Sequence, residues 1–173
     1  YDLVRTVLRD TRFAMPQGVG LAVQGITSGP VWDRVTKLLI SLDGVAHHRL
    51  RRLVSRAFTP RAAERMRAAC VDVITELVDA CSAGPCDVVA DIARPYPVPI
   101  ICALLGAPRD DWHLFSRWAD DVSKAFGVNV AQDAPAILRA WGELEAYVEY
   151  LIAARRHSLS DDLLSELIRV EDG

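Results

Sequence analysis

The stretch from Asp43 to Pro60, DGVAHHRLRRLVSRAFTP, holds two histidines and four arginines among apolar residues. Wound on a helix at about 100° per residue, with His47 at zero, Arg51 falls near 40°, Phe58 near 20° and Val54 near 340°. Leu50, Ala57 and Leu53 continue the apolar arc. His48, Arg49, Arg52 and Arg56 fall on the opposite side, where solvent is expected. His47 and Arg51 therefore share a stripe with core residues. One turn apart, both can donate to a single anion, and the Arg fork suits a carboxylate or phosphate.

Two readings follow from this spacing. A half-buried Arg needs a partner, because an unpaired charge there is costly. No acidic residue lies three or four positions from Arg51, so no local ion pair answers it. The pair either holds an anionic ligand at the edge of an apolar pocket, or Arg51 meets an Asp or Glu from a distant helix while His47 bonds a backbone carbonyl.

The elements that must position these residues read as helices throughout. Leu3, Val4, Val7 and Leu8 stripe a short first helix. From Ala14 to Pro30 the periodicity dissolves into an irregular stretch of the kind that is usually functional or mobile. Asp43 opens the cationic helix, and Thr59-Pro60 closes it and starts the next, with Thr as N-cap and Pro in the first helical position. Met66, Cys70, Val73, Leu77 and Cys81 form a long stripe ending near Ala83-Gly84-Pro85. Asp87 caps a further run that Pro95, Pro97 and Pro99 must kink or restart. Trp112 to Phe126 is an aromatic-rich helix, Gly127 to Pro135 a break, and Ile137 to Leu151 another long helix. Ser160 caps a last one, Asp161 to Val170. No alternating strand, repeat or linker is visible, so the expectation is all-α, with residues 1–173 as a single helical unit.

Composition narrows the classes further. With 51% hydrophobic and 25% charged residues the chain is globular. A net charge of -3 and no basic patch with interleaved aromatics argue against nucleic acid as partner of Arg49 to Arg52. No apolar run approaches the roughly 20 residues of a membrane span. The opening Tyr1 to Arg5 reads as the middle of an amphipathic helix and not as a signal peptide. Cys70 and Cys81 sit about 16 Å apart on one helix, beyond disulfide reach. All four cysteines are expected as buried free thiols in a reducing cytoplasm.

Asp43-Gly44-Val45-Ala46-His47-His48-Arg49-Leu50-Arg51-Arg52-Leu53-Val54, followed by Ala57-Phe58-Thr59-Pro60, closely resembles the C-helix signature of bacterial-type cytochromes P450. In that family the His-x-x-x-Arg pair hydrogen-bonds the heme propionates, and His47 and Arg51 match it. Other stretches resemble the family in order: Tyr1 to Phe13 its B helix, Asp87 to Asp91 with Leu104 to Pro108 its E-helix region, and Asp161 to Ser165 the start of its H helix. Ala14 to Leu39 then corresponds to the substrate-covering B–C loop. The helices from Trp112 to Phe126 and from Pro135 to His157 correspond to the F and G lid helices.

The resemblance implies the N-terminal part of a soluble heme-thiolate monooxygenase, cytoplasmic, with heme b as cofactor. It further implies a small hydrophobic substrate and a ferredoxin or flavoprotein electron donor. His47 and Arg51 would hold cofactor, and Phe58 packs either beside the heme edge or as an ordinary core residue. The family's oxygen-activating central I helix, its Glu-x-x-Arg helix and its heme-cysteine loop lie further along the chain. Neither Cys70, Cys81 and Cys102 nor Gly84-Pro85-Cys86-Asp87 has the frame of the axial cysteine, so the resemblance assigns no metal ligand and no catalytic residue here. His48, on the outer face, is not one either. The rival expectations are an inactive truncated family member and a helical small-ligand-binding module.

Overall fold

In a computed structural model of the chain, residues 1–10, 12–82 and 84–172 are described, apart from the side chains of Arg56, Ala57, Glu171 and Asp172. Thr11, Ala83 and Gly173, which border three of the expected elements, lie outside the described residues. Among the described residues the chain is helical and has no strand.

The helices are α1 (Asp2–Arg9), α2 (Val19–Ala22), α3 (Pro30–Val35), α4 (Gly44–Ala57), α5 (Pro60–Arg65), α6 (Arg67–Ala80), α7 (Pro97–Leu105), α8 (Trp112–Ser123), α9 (Val130–His157) and α10 (Leu163–Asp172). Three-residue 3₁₀ turns stand at Leu39–Ser41, Arg109–Asp111 and Lys124–Phe126, and a π-helical turn runs from Val88 to Ala93.

Capping explains several boundaries. Thr59 Oγ1 accepts from the Ala62 amide at 3.1 Å and Pro60 occupies the first helical position of α5. Asp87 Oδ1 accepts from the Val89 and Ala90 amides and starts the π turn. Pro97 begins α7, so the prolines restart the helix as expected. The most apolar stretch, 88–105, has the length and composition of a membrane span, contrary to the sequence expectation. It is not one straight helix, because the chain turns at 94–96.

Three boundaries differ from expectation. The irregular stretch from Ala14 contains α2, a single turn. The break before Pro135 is helical: α9 starts at Val130 and carries Pro135 inside it. Docking supplies the reason, since Val130 is fully buried and its amide donates to Gln24 Oε1 at 3.1 Å. Tertiary contact holds a first turn that Pro135, with no N–H to give, does not favour. At the last helix the cap is Asp162 and not Ser160, because Asp162 Oδ1 accepts from the Ser165 amide at 2.8 Å.

Helices α8 and α9 run antiparallel, as the pairings Phe115–Tyr147, Arg117–Glu143 and Arg139–Asp121 descend one helix while climbing the other. The 28-residue α9 joins two apolar clusters. Its first half packs Ile137 and Trp141 against Leu21, Val31 and Val35. Ala140, on another face of that half, and Leu151 in its second half pack against Phe115, Trp118, Cys102 and Leu164. Helix α10 packs on α4, α7 and α9 and so links the cationic helix to this body.

Much apolar surface stays uncovered. Leu3 and Leu8 of α1 are 82% and 81% exposed, so the expected stripe forms but meets no core among the described residues. The accessible surface is 11811 Å², against about 8,400 Å² for a compact monomer of this mass.

Candidate functional site

Helix α4 begins at a double bridge. Asp43 Oδ1 accepts from the Gly44 amide at 2.7 Å, and Oδ2 accepts from the Met15 amide at 2.8 Å. Gly44 takes φ +58°, a left-handed conformation that a Cβ would strain. The backbone hydrogen bonds from Met15 and Gly44, with a smaller effect of His47 and His48, hold the Asp43 carboxyl below the usual carboxylate range. One acidic residue thus starts the helix and ties it to the loop after α1. Residue order reveals the cap but not the tie to Met15, which joins residues 28 positions apart.

His47 and Arg51 line one cleft of about 710 Å³. Its walls include Phe13, Met15 and Pro16 from the loop, and Leu39, Ile40 and Leu42 from the segment before α4. His47 is half-buried and Arg51 exposed. Among the described residues no carboxylate forms an ion pair with Arg51. The distant Asp or Glu allowed by the spacing is therefore not found there. The His47 ring meets His48 edge-on at 5.7 Å between centroids. His48 turns away from the cleft, its Nδ1 2.6 Å from the Gly44 carbonyl oxygen.

Phe58 is not brought to this cleft. It ends α4 as the C-cap residue, is 53% exposed, and is absent from the cleft lining. On the opposite face of α4 Arg49 is exposed, as the helical wheel expects, and stands at the edge of a groove with Leu53, Ile152, Leu164 and Ile168. The side chains of Arg56 and Ala57 lie outside the described residues.

A second cleft of about 320 Å³ adjoins the first and shares Met15, Pro16 and Ile40 with it. Leu21 and Val19 of α2, Val35 of α3, and Ala125 and Phe126 after α8 complete its walls. The segment Ala14 to Leu39 and the end of the aromatic helix thus meet around one apolar space. A Cβ on Gly18, at φ +62°, would lie 2.5 Å from Trp32 Cζ3, so this loop packs too tightly for a side chain there.

Chemically, two side-chain donors, an imidazole and a guanidinium, stand one turn apart beside apolar walls, and the one carboxylate among the described lining residues, Asp43, is satisfied by backbone amides. That donor set fits the carboxylate edge of a largely apolar ligand, such as a heme bearing propionates. None of the four cysteines lines the cleft. The last helix contains a literal Glu-x-x-Arg, Glu166 to Arg169. It is an i,i+3 surface pair at 2.7 Å, remote from the cleft lining.

No family model matches the chain. Curated relatives do. The mycinamicin IV hydroxylase/epoxidase of Micromonospora griseorubida is 39% identical over 174 residues, covering 99% of this chain and 42% of the relative. The cytochrome P450 monooxygenase PikC of Streptomyces venezuelae is 34% identical over 179 residues, covering 99% and 40%. Among solved structures, CalO2 superposes with a TM-score of 0.84 at 31% identity, covering 99% of this chain and 44% of that one. The chain spans about two fifths of the length of the curated relatives it matches.

Proposed function

We propose, since the chain belongs to the cytochrome P450 superfamily and forms a partial cytochrome P450 fold, that it is the part of a heme monooxygenase that grips the cofactor edge and walls the substrate space. The observation that carries this reading is the shared cleft. His47 and Arg51 line it from one helix face, and no described carboxylate pairs with Arg51. In this reading both residues donate to the propionates of heme b and offset their charge. Heme b, held by His47 and Arg51, would supply the chemistry of dioxygen activation for oxidation of an organic substrate.

This chain's own residues bind and orient. Asp43 anchors the start of α4 to the Met15 loop, which fixes the height of His47 and Arg51 against the cleft wall. The adjoining apolar cleft between α2 and Phe126 holds part of a small hydrophobic substrate and keeps water from it. Phe58, exposed and outside the cleft lining, is kept as a cofactor-binding residue only by its match to the family's pattern. Electrons come from a ferredoxin or flavoprotein, and the setting is the cytoplasm, without membrane or nucleic acid as partner. Residues 1–173 act as one helical unit that is inactive alone, a reading supported by its large uncovered apolar surface.

The test is a hemin titration of the purified chain, followed by absorbance. His47→Ala and Arg51→Ala are each expected to weaken binding about fivefold, the effect of a partly exposed charged hydrogen bond, and the double variant about 25-fold. Arg52→Ala, on the other face, leaves affinity unchanged. Hemin dimethyl ester, which has no propionate charge, binds wild type and double variant alike. Equal hemin affinity in the double variant, or the same loss with the ester, would overturn the assignment and favour a general apolar ligand module.

A further inference from the structure

Cys81 and Cys86 both lie between α6 and the π-helical turn. Cys81 is the residue after the helix ends, and Cys86 precedes Asp87, the cap of the π-helical turn. The Cys86 thiol donates to Cys81 Sγ with 2.9 Å between the sulfurs. That separation lies inside ordinary sulfur–sulfur packing contact. Both residues are half-buried, whereas Cys102 is fully buried and Cys70 lies back on α6. Helical spacing addresses only Cys70 with Cys81, and it leads to an expectation of buried thiols. The structure instead brings together the two cysteines five residues apart.

The Asp91 carboxylate completes a group whose ligand atoms lie within 4.8 Å of one another. A tetrahedral zinc ion with bonds of about 2.3 Å would hold its two sulfurs roughly 3.8 Å apart. The observed pair is closer than that, and Asp91 Oδ2 is already engaged by the Asp87 amide at 2.8 Å. The arrangement favours joining the sulfurs directly.

We infer that Cys81 and Cys86 form a reversible intramolecular disulfide, taking oxidised glutathione or a similar small disulfide as oxidant, that clamps the end of α6 to the start of the π-helical turn. The hydrogen bond to Cys81, burial and the charges of Asp91 and Asp87 push the Cys86 thiol up to about 11. Cys81, whose sulfur accepts the hydrogen bond from Cys86, reacts first. Its thiolate attacks one sulfur of oxidised glutathione, breaks that S–S bond and releases one glutathione thiolate. Cys86 then gives up its proton, attacks the Cys81 sulfur of the mixed disulfide and releases the second glutathione thiolate. Two protein thiols become one S–S bond, and the two electrons and two protons leave as two molecules of reduced glutathione.

The experiment incubates the purified chain with oxidised glutathione, alkylates free thiols and maps the peptides by mass spectrometry. Cys81 and Cys86 are expected to escape alkylation together, with the mass of two hydrogens lost, while Cys70 and Cys102 are alkylated. Dithiothreitol restores all four. Pair oxidation runs at least about tenfold faster than glutathionylation of Cys70, because the partner thiol is already in place. In Cys81→Ser, with helicity checked by circular dichroism, Cys86 reacts at a rate no greater than Cys70. A pair that stays alkylatable, a persistent mixed disulfide, or cross-linked dimers in wild type would each overturn the inference. So would protection of the pair by zinc alone against both oxidant and alkylation, which would make it a metal site.

Discussion

Asp162 is the residue whose removal tests the packing that carries α4. Its Oδ1 caps α10 through the Ser165 amide at 2.8 Å, and its Oδ2 takes the Ser160 hydroxyl and the Arg155 guanidinium. Arg155 reaches on to the Gly106 carbonyl at 2.7 Å, so one carboxylate joins α10, α9 and the end of α7. The side chain of Asp162 is 6% exposed and that of Arg155 19%. Asp162→Ala loses a helix cap, about 1 kcal/mol. It also leaves Arg155 without its carboxylate. A fully buried orphan would cost about 3–5 kcal/mol, but Arg155 keeps Gly106 and some water, so about 2 kcal/mol is the better figure. The total, about 3 kcal/mol, lowers the unfolding midpoint by about 9 °C in a chain of this size.

The same residue sets a pH dependence. Burial pushes the Asp162 carboxyl up, but the hydrogen bonds from Ser160, the Ser165 amide and Arg155 outweigh it, and the net shift is downward. A depressed carboxylate contributes stability that is complete above its unfolded value of about 3.9 and is lost as pH falls through the folded value. The gap between wild type and Asp162→Ala, read by far-ultraviolet circular dichroism on heating, is therefore widest near neutrality and narrows below about pH 4. Asp162→Asn, which keeps the cap acceptor but not the charge, falls between the two. A midpoint change under about 2 °C at neutral pH, or a gap that does not narrow in acid, would refute the reasoning.

Three further substitutions probe the same body. Gly106→Ala places a Cβ against the Asp162 carboxylate and 2.6 Å from Arg155 Nη2, at a backbone φ of +74°; thermal unfolding should show a loss of about 2–3 kcal/mol, and a neutral result would mean the network moves aside freely. Ile137→Ala opens a cavity at a fully buried position of α9, with an expected loss of about 3 kcal/mol in denaturant unfolding, whereas Val128→Ala, 84% exposed, should change stability by less than about 0.5 kcal/mol.

The uncovered surface bears on how the chain is used. Its 11811 Å² exceeds the compact-monomer figure by about two fifths, and the relatives it matches are more than twice as long. The groove between α4, α9 and α10, lined by Leu53, Leu164 and Ile168, and the bare stripe of α1 are apolar faces of this kind. Such faces favour self-association when nothing covers them.

Much of the candidate site is legible in residue order. Asp43, Thr59 and Pro60 punctuate α4 and α5 through local hydrogen bonds and fixed φ, and such effects depend on neighbours within a few residues. The stripe shared by His47 and Arg51 follows from helical geometry alone, and both residues do line one cleft. The same rule puts Phe58 on that stripe, yet it ends the helix exposed, because a helical wheel stops applying where φ and ψ leave the helix at the C-cap.

What local rules do not supply is coverage. Pro135 lies inside α9 because Gln24, 106 residues from Val130, holds the first turn. Asp162 and not Ser160 caps α10 because Arg155, itself held by the Gly106 carbonyl, fixes that carboxylate in place. Cys81 meets Cys86, five residues on, just before the π turn. Covalent spacing is enough to say which residues can form each helix and that His47 and Arg51 share a face. Which faces meet a partner and which thiols touch depends on burial and distance, and those are set in three dimensions by segments far away along the chain.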